Sequence, residues 1–341
     1  MGAVIALVGL LVVLLSGLTA GLSAQSVSAL DTLPADRLAF AAPAQGQQLS
    51  FAGSRLSAEQ VHAFTSAAGA DAAALGVANG RVGVGRDSGS SPSSAREVTA
   101  TVFGAVPDGF LAPPALAEGA VVVSDELADE QHLATGDTVQ LGGQSLRVAA
   151  VRTSSSFNHT PVVWTTLDQW RRLDAAGGAA ATVVALRGGP VTDAVPGTTV
   201  RTLSDARTAV GSYTAENGSL TLMRLLLLAI SALVVGAFFT VWTVQRQPDL
   251  AVLKAIGASS DALVRDALGQ SLVVLVVGGG LGTVLAAGVG LLAQRVVPFV
   301  VSPATTALPL LALIVVGLVG AAAAVRRITS VDPLTALRAA R

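Results

Sequence analysis

Four stretches of the chain stay apolar long enough to cross a bilayer core, which is about 30 Å thick and takes about 20 helical residues to span. They are Gly2 to Leu22, Leu220 to Val244, Ser271 to Leu292 and Ala307 to Val325. The first, third and fourth carry no charged side chain. The second holds Arg224 one turn inside its start, where a long side chain can snorkel to the interface, so it reads as an anchor. Between the first and second stretches the sequence turns polar and rich in turn residues. The pattern is one span, a large insert, then three closely spaced spans.

Within the insert the periodicity predicts an α+β fold. Ser57-Ala58-Glu59-Gln60 has capping-box spacing ahead of Val61, His62 and Phe64, and Gly69 is placed to stop that helix. β-branched runs predict strands at Val98 to Phe103, Ala120 to Val123, Thr138 to Leu141, Ser145 to Val151, Val162 to Trp164 and Thr182 to Leu186. Gly142-Gly143 supplies the positive φ angles of a tight hairpin between two of them. Helices are expected from Ser124 to about Leu133 and from Thr166 to about Leu173. From Leu203, the spacing of Ala206, Val210 and Tyr213 predicts a helix running on into the second span as a stalk. Arg81 to Ser94 has no apolar period and reads as a loop, with Gly80 to Gly85 glycine-rich but lacking dinucleotide-binding spacing.

Orientation comes from the short connections, since basic residues near span ends stay cytoplasmic. Arg246, Lys254 and Arg265 lie between the second and third spans, and Arg326, Arg327, Arg338 and Arg341 follow the fourth, whereas the third-to-fourth connection has only Arg295. The expected division is transmembrane helix 1 (1–22), an extracytoplasmic α+β domain (23–218), transmembrane helix 2 (219–245), a cytoplasmic loop (246–270), transmembrane helix 3 (271–292), an extracytoplasmic loop (293–306), transmembrane helix 4 (307–325) and a cytoplasmic tail (326–341). Both termini are then cytoplasmic in a multi-pass cell-membrane protein. Gly21-Leu22-Ser23-Ala24-Gln25 also has the form of a signal-peptide cleavage site, but the long apolar run, with no basic residue before it, favours an uncleaved span.

Composition agrees with a membrane protein: 13% of the 341 residues are charged, where soluble domains carry about 25%. The near-neutral balance, 21 basic against 22 acidic residues, argues against a nucleic-acid binder. With no cysteine there are no disulfides, thiolate metal sites or cysteine nucleophiles. Lys254 is the only lysine, and no P-loop can be written around it. His62, His132 and His159 fall in separate predicted elements without metal-ligand spacing, and no Gly-x-Ser-x-Gly elbow occurs. Trp164 and Trp170 read as core residues.

The loop after the second span is more specific. Pro248 suits a first helical position, Asp249 complements the helix dipole, and a short helix through Leu250, Val252, Leu253, Lys254 and Ile256 would close at Gly257. Ser259 or Ser260 then caps a helix entering the third span. The residues fit equally a plug for a groove in a cytoplasmic partner, with Leu250 and Leu253 on one side, and a plain interfacial turn. Gly278, Gly282, Ala286 and Gly290 repeat along one face of span three, as do Gly17 and Gly21 in span one. Such small residues admit close helix packing, in a dimer interface or within one chain.

Arg246 to Ser259, RQPDLAVLKAIGAS, resembles the loop of FtsX-like ABC-transporter permeases. Gly278 to Gly282 looks like that family's glycine cluster, and Arg326 to Arg338, ending in DPLTALR, is similar to its closing tail. Ala120 to Val151 more loosely resembles the periplasmic core domain of the MacB branch. Gln270 stands where relatives often have an acidic residue.

The resemblance implies a non-catalytic permease subunit with no cofactor or metal, working by mechanotransmission: a separate ABC ATPase hydrolyses ATP, and a second permease copy or paralogue completes a dimer. Arg246, Asp249, Leu250, Leu253, Lys254 and Gly257 would form the coupling element, and the span-one and span-three small residues would serve assembly. In the tail, Asp332 can cap a helix begun by Pro333, presenting Leu334, Leu337 and Arg338 to the same ATPase. The expected task is export or extraction of a lipoprotein, peptide, lipid or amphiphilic drug. A regulator of a cell-wall hydrolase, acting on an extracytoplasmic protein, and a scaffold without an ATPase are the alternatives.

Overall fold

The computed structural model describes residues 2–84, 96–153, 155–173, 176–188, 195–211, 213–246, 252, 256–257, 259–294 and 296–329. The chain divides into two compact units, Ser23–Glu216 and the two segments Met1–Leu22 and Asn217–Arg341.

Helix α1 (Gly2–Asp31) outruns its apolar stretch by nine residues. Cleavage at Ala24 would fall inside it. Its last turns belong to the inserted unit, where Val27 and Leu30 are buried. The unit then follows β1 (Arg37–Ala41), α2 (Ala58–Ala68), β2 (Ala72–Val84), β3 (Arg96–Ala105), β4 (Ala120–Ser124), α3 (Asp125–Gln131), β5 (Thr138–Leu141), β6 (Gln144–Arg152), β7 (Ser156–Phe157), β8 (Thr160–Thr166), α4 (Leu167–Arg171), β9 (Val183–Leu186), β10 (Thr198–Thr202) and α5 (Leu203–Ala206).

The strands run in the order β10-β1-β9-β2-β3-β8-β4-β6-β5, with β7 paired to β8. An extra β2–β5 pairing joins Val82–Val84 to Val139–Leu141, so β2, β3, β8, β4, β6 and β5 close into a ring. Strand β2 makes this possible by its length: Ala72–Leu75 pair with β9 and Val82–Val84 with β5 along one edge, while β3 takes the other. Closure removes edges that would otherwise present unpaired backbone groups. The segment expected to be a loop from Arg81 is therefore strand as far as Val84, and Val82 is fully buried in it; residues 85–95 lie outside the described residues.

Local signals explain the caps. Ser57 and Gln60 form the full capping box of α2, and Gly69 ends it at φ +56°. Ser124 caps α3, and Thr166 with Gln169 caps α4. Gly142 and Gly143 adopt φ +56° and +76° in a two-residue hairpin loop between Leu141 and Gln144. The helix expected from Leu203 does not run on: α5 gives way to a 3-10 turn at Arg207–Ala209, and Val210 is extended at φ −78°, ψ 124°. Val210 is instead buried in the domain core.

Two large cores fill the domain, with a smaller apolar cluster around Leu56 and Phe64. In one, Phe40, Phe51, Phe157, Phe103 and Trp164 form a chain of edge-to-face contacts 4.9–5.6 Å apart. In the other, Trp170 is wholly buried above the cross-strand glycine pair Gly76 and Gly104.

The remaining unit is helical: α6 (Tyr213–Gln245), α7 (Ser260–Ala293, capped by Ser259) and α8 (Pro303–Thr329) join the first part of α1. Each of the four contains a window long and apolar enough to span a membrane. The molecule is thus a four-span, one-plus-three membrane protein with a large α+β domain inserted between the first and second spans.

Candidate coupling and assembly sites

The four helices are held together at glycines, where missing β-carbons let backbones meet. A β-carbon at Gly282 would overlap the Ala6 carbonyl of α1 and sit 2.9 Å from the Leu10 amide. At Gly278 it would meet Ile5 at 3.1 Å, and Ala286 is fully buried. Gly9 faces Gly279 across the same seam. On α8, Gly320 approaches Gly236 of α6, and Gly317 takes the Leu275 side chain of α7.

Gly17 and Gly21 have a different neighbour. The Phe299 ring sits in a notch between Gly17 and Gly290, and the Pro298 carbonyl covers Gly21. The Val300 amide donates to the Gly17 carbonyl at 3.1 Å, and the Gln294 side-chain amide donates to the Phe299 carbonyl at 3.0 Å. The small-residue faces of spans one and three are therefore filled within this chain. Phe299 carried no periodic signal: it stands alone in a short connection, and only the fold shows what it fills.

Arg224 lies three turns inside α6. Its guanidinium turns to α1, where Nη2 donates to the Ser16 carbonyl at 3.0 Å, so it bridges spans one and two instead of reaching outward alone. Its Nε is buried without a hydrogen-bond partner among the described residues.

At the loop, Arg246 packs its guanidinium over the Trp242 ring, 4.6 Å from the centroid, and donates to the Gln270 side-chain oxygen. Gln270 in turn donates to Asp266 at 2.9 Å. The amide accepts on one side and donates on the other; an ionised acid could not give Asp266 a hydrogen. Trp242, Asp266 and Gln270 were not singled out as a set from sequence, although the four-residue step from Asp266 to Gln270 was visible. Beyond Arg246, the Ile256 amide donates to the Val252 carbonyl at 3.1 Å, a helical-turn bond, and Gly257 follows at φ +102°. Val252 and Ile256 are 63% and 76% exposed. Asp249, Leu250, Leu253 and Lys254 lie outside the described residues, as do Asp332, Leu334, Leu337 and Arg338 of the tail.

In the inserted domain, His159 Nε2 lies 2.7 Å from Glu216 Oε2 and 2.9 Å from Ser26 Oγ. Both contacts fall on one ring nitrogen, so the group lacks the two-sided imidazole of a nucleophilic relay. The turn carrying His159 also donates backbone amides to the Gln25 and Ser26 carbonyls. These residues are too far apart in sequence to have been associated by spacing. Among the described residues no three His, Cys, Asp or Glu side chains gather as a metal site would require.

Two family models match this chain. The family described as MacB-like periplasmic core domain matches residues 2–196, over half of the chain, and the family described as FtsX-like permease C-terminal matches residues 221–333. The chain belongs to the FtsX-like ABC-transporter permeases with a MacB-like core domain. A relative named putative hemin transport system permease protein HrtB, from Staphylococcus haemolyticus, is 24% identical over 98% of this chain and 93% of its own length. An uncharacterized ABC transporter permease of Mycobacterium tuberculosis is 30% identical over 72% of this chain and 70% of its own. The periplasmic region of MacB from Actinobacillus actinomycetemcomitans covers 54% of this chain and 98% of its own at 11% identity, with a TM-score of 0.35. Membership makes this protein an ABC transporter permease of the FtsX/MacB type, a multi-pass membrane subunit of a class that is generally non-catalytic and implies an ATPase partner.

Proposed function

We propose that this permease is a mechanotransmitter. Two permease chains sit on two copies of a separate ATPase, each presenting the short helix around Asp249 to Ile256 as its coupling element, with Arg246 fixing the start of that element and Gly257 its end. The tail residues Asp332, Leu334, Leu337 and Arg338 touch the same ATPase. Both termini are cytoplasmic and the α+β domain is outside. ATPase closure tilts the tightly packed spans, and the motion passes along the helices to the outer domain, so work crosses the membrane without a substrate tunnel. The second permease copy pairs through surfaces other than the filled glycine faces.

The observation that supports this reading is the helix continuity at both ends of the insert. Helix α1 is unbroken from Gly2 to Asp31 and buries Val27 and Leu30 in the outer domain's core, and α6 is unbroken from Tyr213 to Gln245, ending beside Arg246. A helix transmits displacement along its axis because a ladder of backbone hydrogen bonds ties each residue to the one four positions earlier. The load carried is a lipoprotein, peptide, lipid or amphiphilic drug; a Staphylococcus relative is named for hemin, an amphiphilic small molecule.

Leu253→Asp tests the coupling role. It places a charge where an apolar side chain should enter the ATPase groove, and a desolvated unpaired carboxylate costs several kcal/mol. The expected result is loss of ATPase copurification from detergent with unchanged membrane insertion; full retention of the ATPase by the variant would overturn the assignment.

A further inference from the structure

We propose that the inserted domain carries a binding site for an anionic amphiphile, in a cavity of about 410 Å³ between the end of α1 and the β4–β6–β8 surface. The volume falls in the range of small-molecule sites. Its floor is apolar: Leu33, Leu111, Val162 and Trp164 line it and are all buried. Its rim is polar, with Thr32, Ser124, Arg152, Thr153 and Ser155, and Arg152 is the one charged residue in the lining. Ser124 and Arg152, register partners at the ends of parallel strands β4 and β6, both line the cavity.

Charge decides the ligand's sign. Among the described residues Arg55, Arg96, Arg147, Arg152 and Arg201 of this domain make no ion pair, and of these only Arg152 lines the cavity; Arg81, Arg171, Arg172, Arg187 and Arg207 are paired with acids. The two acids that follow Ser124 are otherwise engaged. Asp125 Oδ1 accepts the Glu126 amide at 2.7 Å, and Glu126 Oε2 accepts the Ser156 hydroxyl at 2.9 Å. A guanidinium at the rim of a cavity with an apolar floor suits one carboxylate or phosphate on an apolar body, with the head at Arg152 and the tail against Trp164. A neutral amphiphile would gain the apolar contacts and forgo the charged one.

This site deepens the export reading by giving the class of load, and it rests on that reading only for the ligand's origin. The test uses the full-length chain in nanodiscs, without ATPase, in a Trp242→Phe background that leaves Trp164 and Trp170 as the indoles. Bromine-tagged dodecanoate is expected to quench the emission saturably, and the signal is expected to vanish in Trp164→Phe. Arg152→Gln, at an exposed position where folding is unaffected, should weaken dodecanoate about tenfold, the value of a charge-assisted hydrogen bond, and change the matching bromododecanol less than twofold. Ala112→Phe, which fills the rim, should weaken both. Quenching that only follows bulk lipid partition, an equal effect of Arg152→Gln on acid and alcohol, or undiminished binding in Ala112→Phe would each overturn the site. Because no ATPase is present, these failures are distinct from a failure of the Leu253→Asp test.

Discussion

Gly282→Leu is expected to abolish the folded four-helix bundle, while Gly280→Leu and Gly288→Leu leave it intact. All three lie on α7 within three turns, and their intrinsic helix propensities are the same. Gly282 faces α1, where even a β-carbon would overlap the Ala6 carbonyl and crowd the Leu10 amide, whereas a β-carbon at Gly280 or Gly288 meets nothing within 4 Å. Overpacking a side-chain gap costs about 1–3 kcal/mol, and here the obstacle is backbone that cannot change rotamer, so about 3 kcal/mol or more is expected. Thermal unfolding of the purified chain in detergent checks this. A Gly282→Leu protein as stable as Gly280→Leu would show that α1 and α7 do not meet along this seam.

The second large effect lies in the sheet. Gly76→Val should destabilise the inserted domain by about 3 kcal/mol or more, because Gly76 and Gly104 are opposite one another on β2 and β3 and a β-carbon at either overlaps Trp170. A β-branched side chain there has no rotamer that escapes the indole. Trp170→Ala alone should also cost about 3–5 kcal/mol, by leaving a cavity. The two losses are not additive, since the new valine occupies part of the space the indole vacates. The double variant should therefore unfold no earlier than Trp170→Ala, as followed by limited proteolysis of the domain. A double variant weaker than both singles by their sum would refute the proposed contact.

These two cases also show why some of the fold was legible in the sequence and some was not. The spans were legible because a bilayer demands uninterrupted apolar length, and the helix starts at Ser57, Ser124, Thr166 and Ser259 because a capping side chain has a fixed offset from its amide. The Gly142-Gly143 hairpin was legible for the same local reason. Strand β2, AAALGVANGRVGV, was not: alanine and glycine are poor strand formers in isolation, and they are used here because Trp170 and Val102 need the room. Likewise β1 and β10 are short and pair residues far apart in the chain, Arg37 with Thr202, so no local pattern announces them. The helix expected through Val210 failed because burial of that side chain in the domain core outweighed a helical spacing shared by only four residues. Of the candidate site, the glycine faces were visible as spacing, but their occupant was not: Phe299 and the Arg246–Gln270–Asp266 chain exist only where the helices come together.

The central claim is that the coupling element and the α+β domain lie on opposite sides of the membrane. The chain has no cysteine, so single reporters can be introduced without background. Val252→Cys and Glu130→Cys both replace exposed side chains. With a membrane-impermeant maleimide applied to intact cells, Glu130→Cys is predicted to label at once and Val252→Cys only after permeabilisation; labelling of both before permeabilisation, or of neither, would contradict the account.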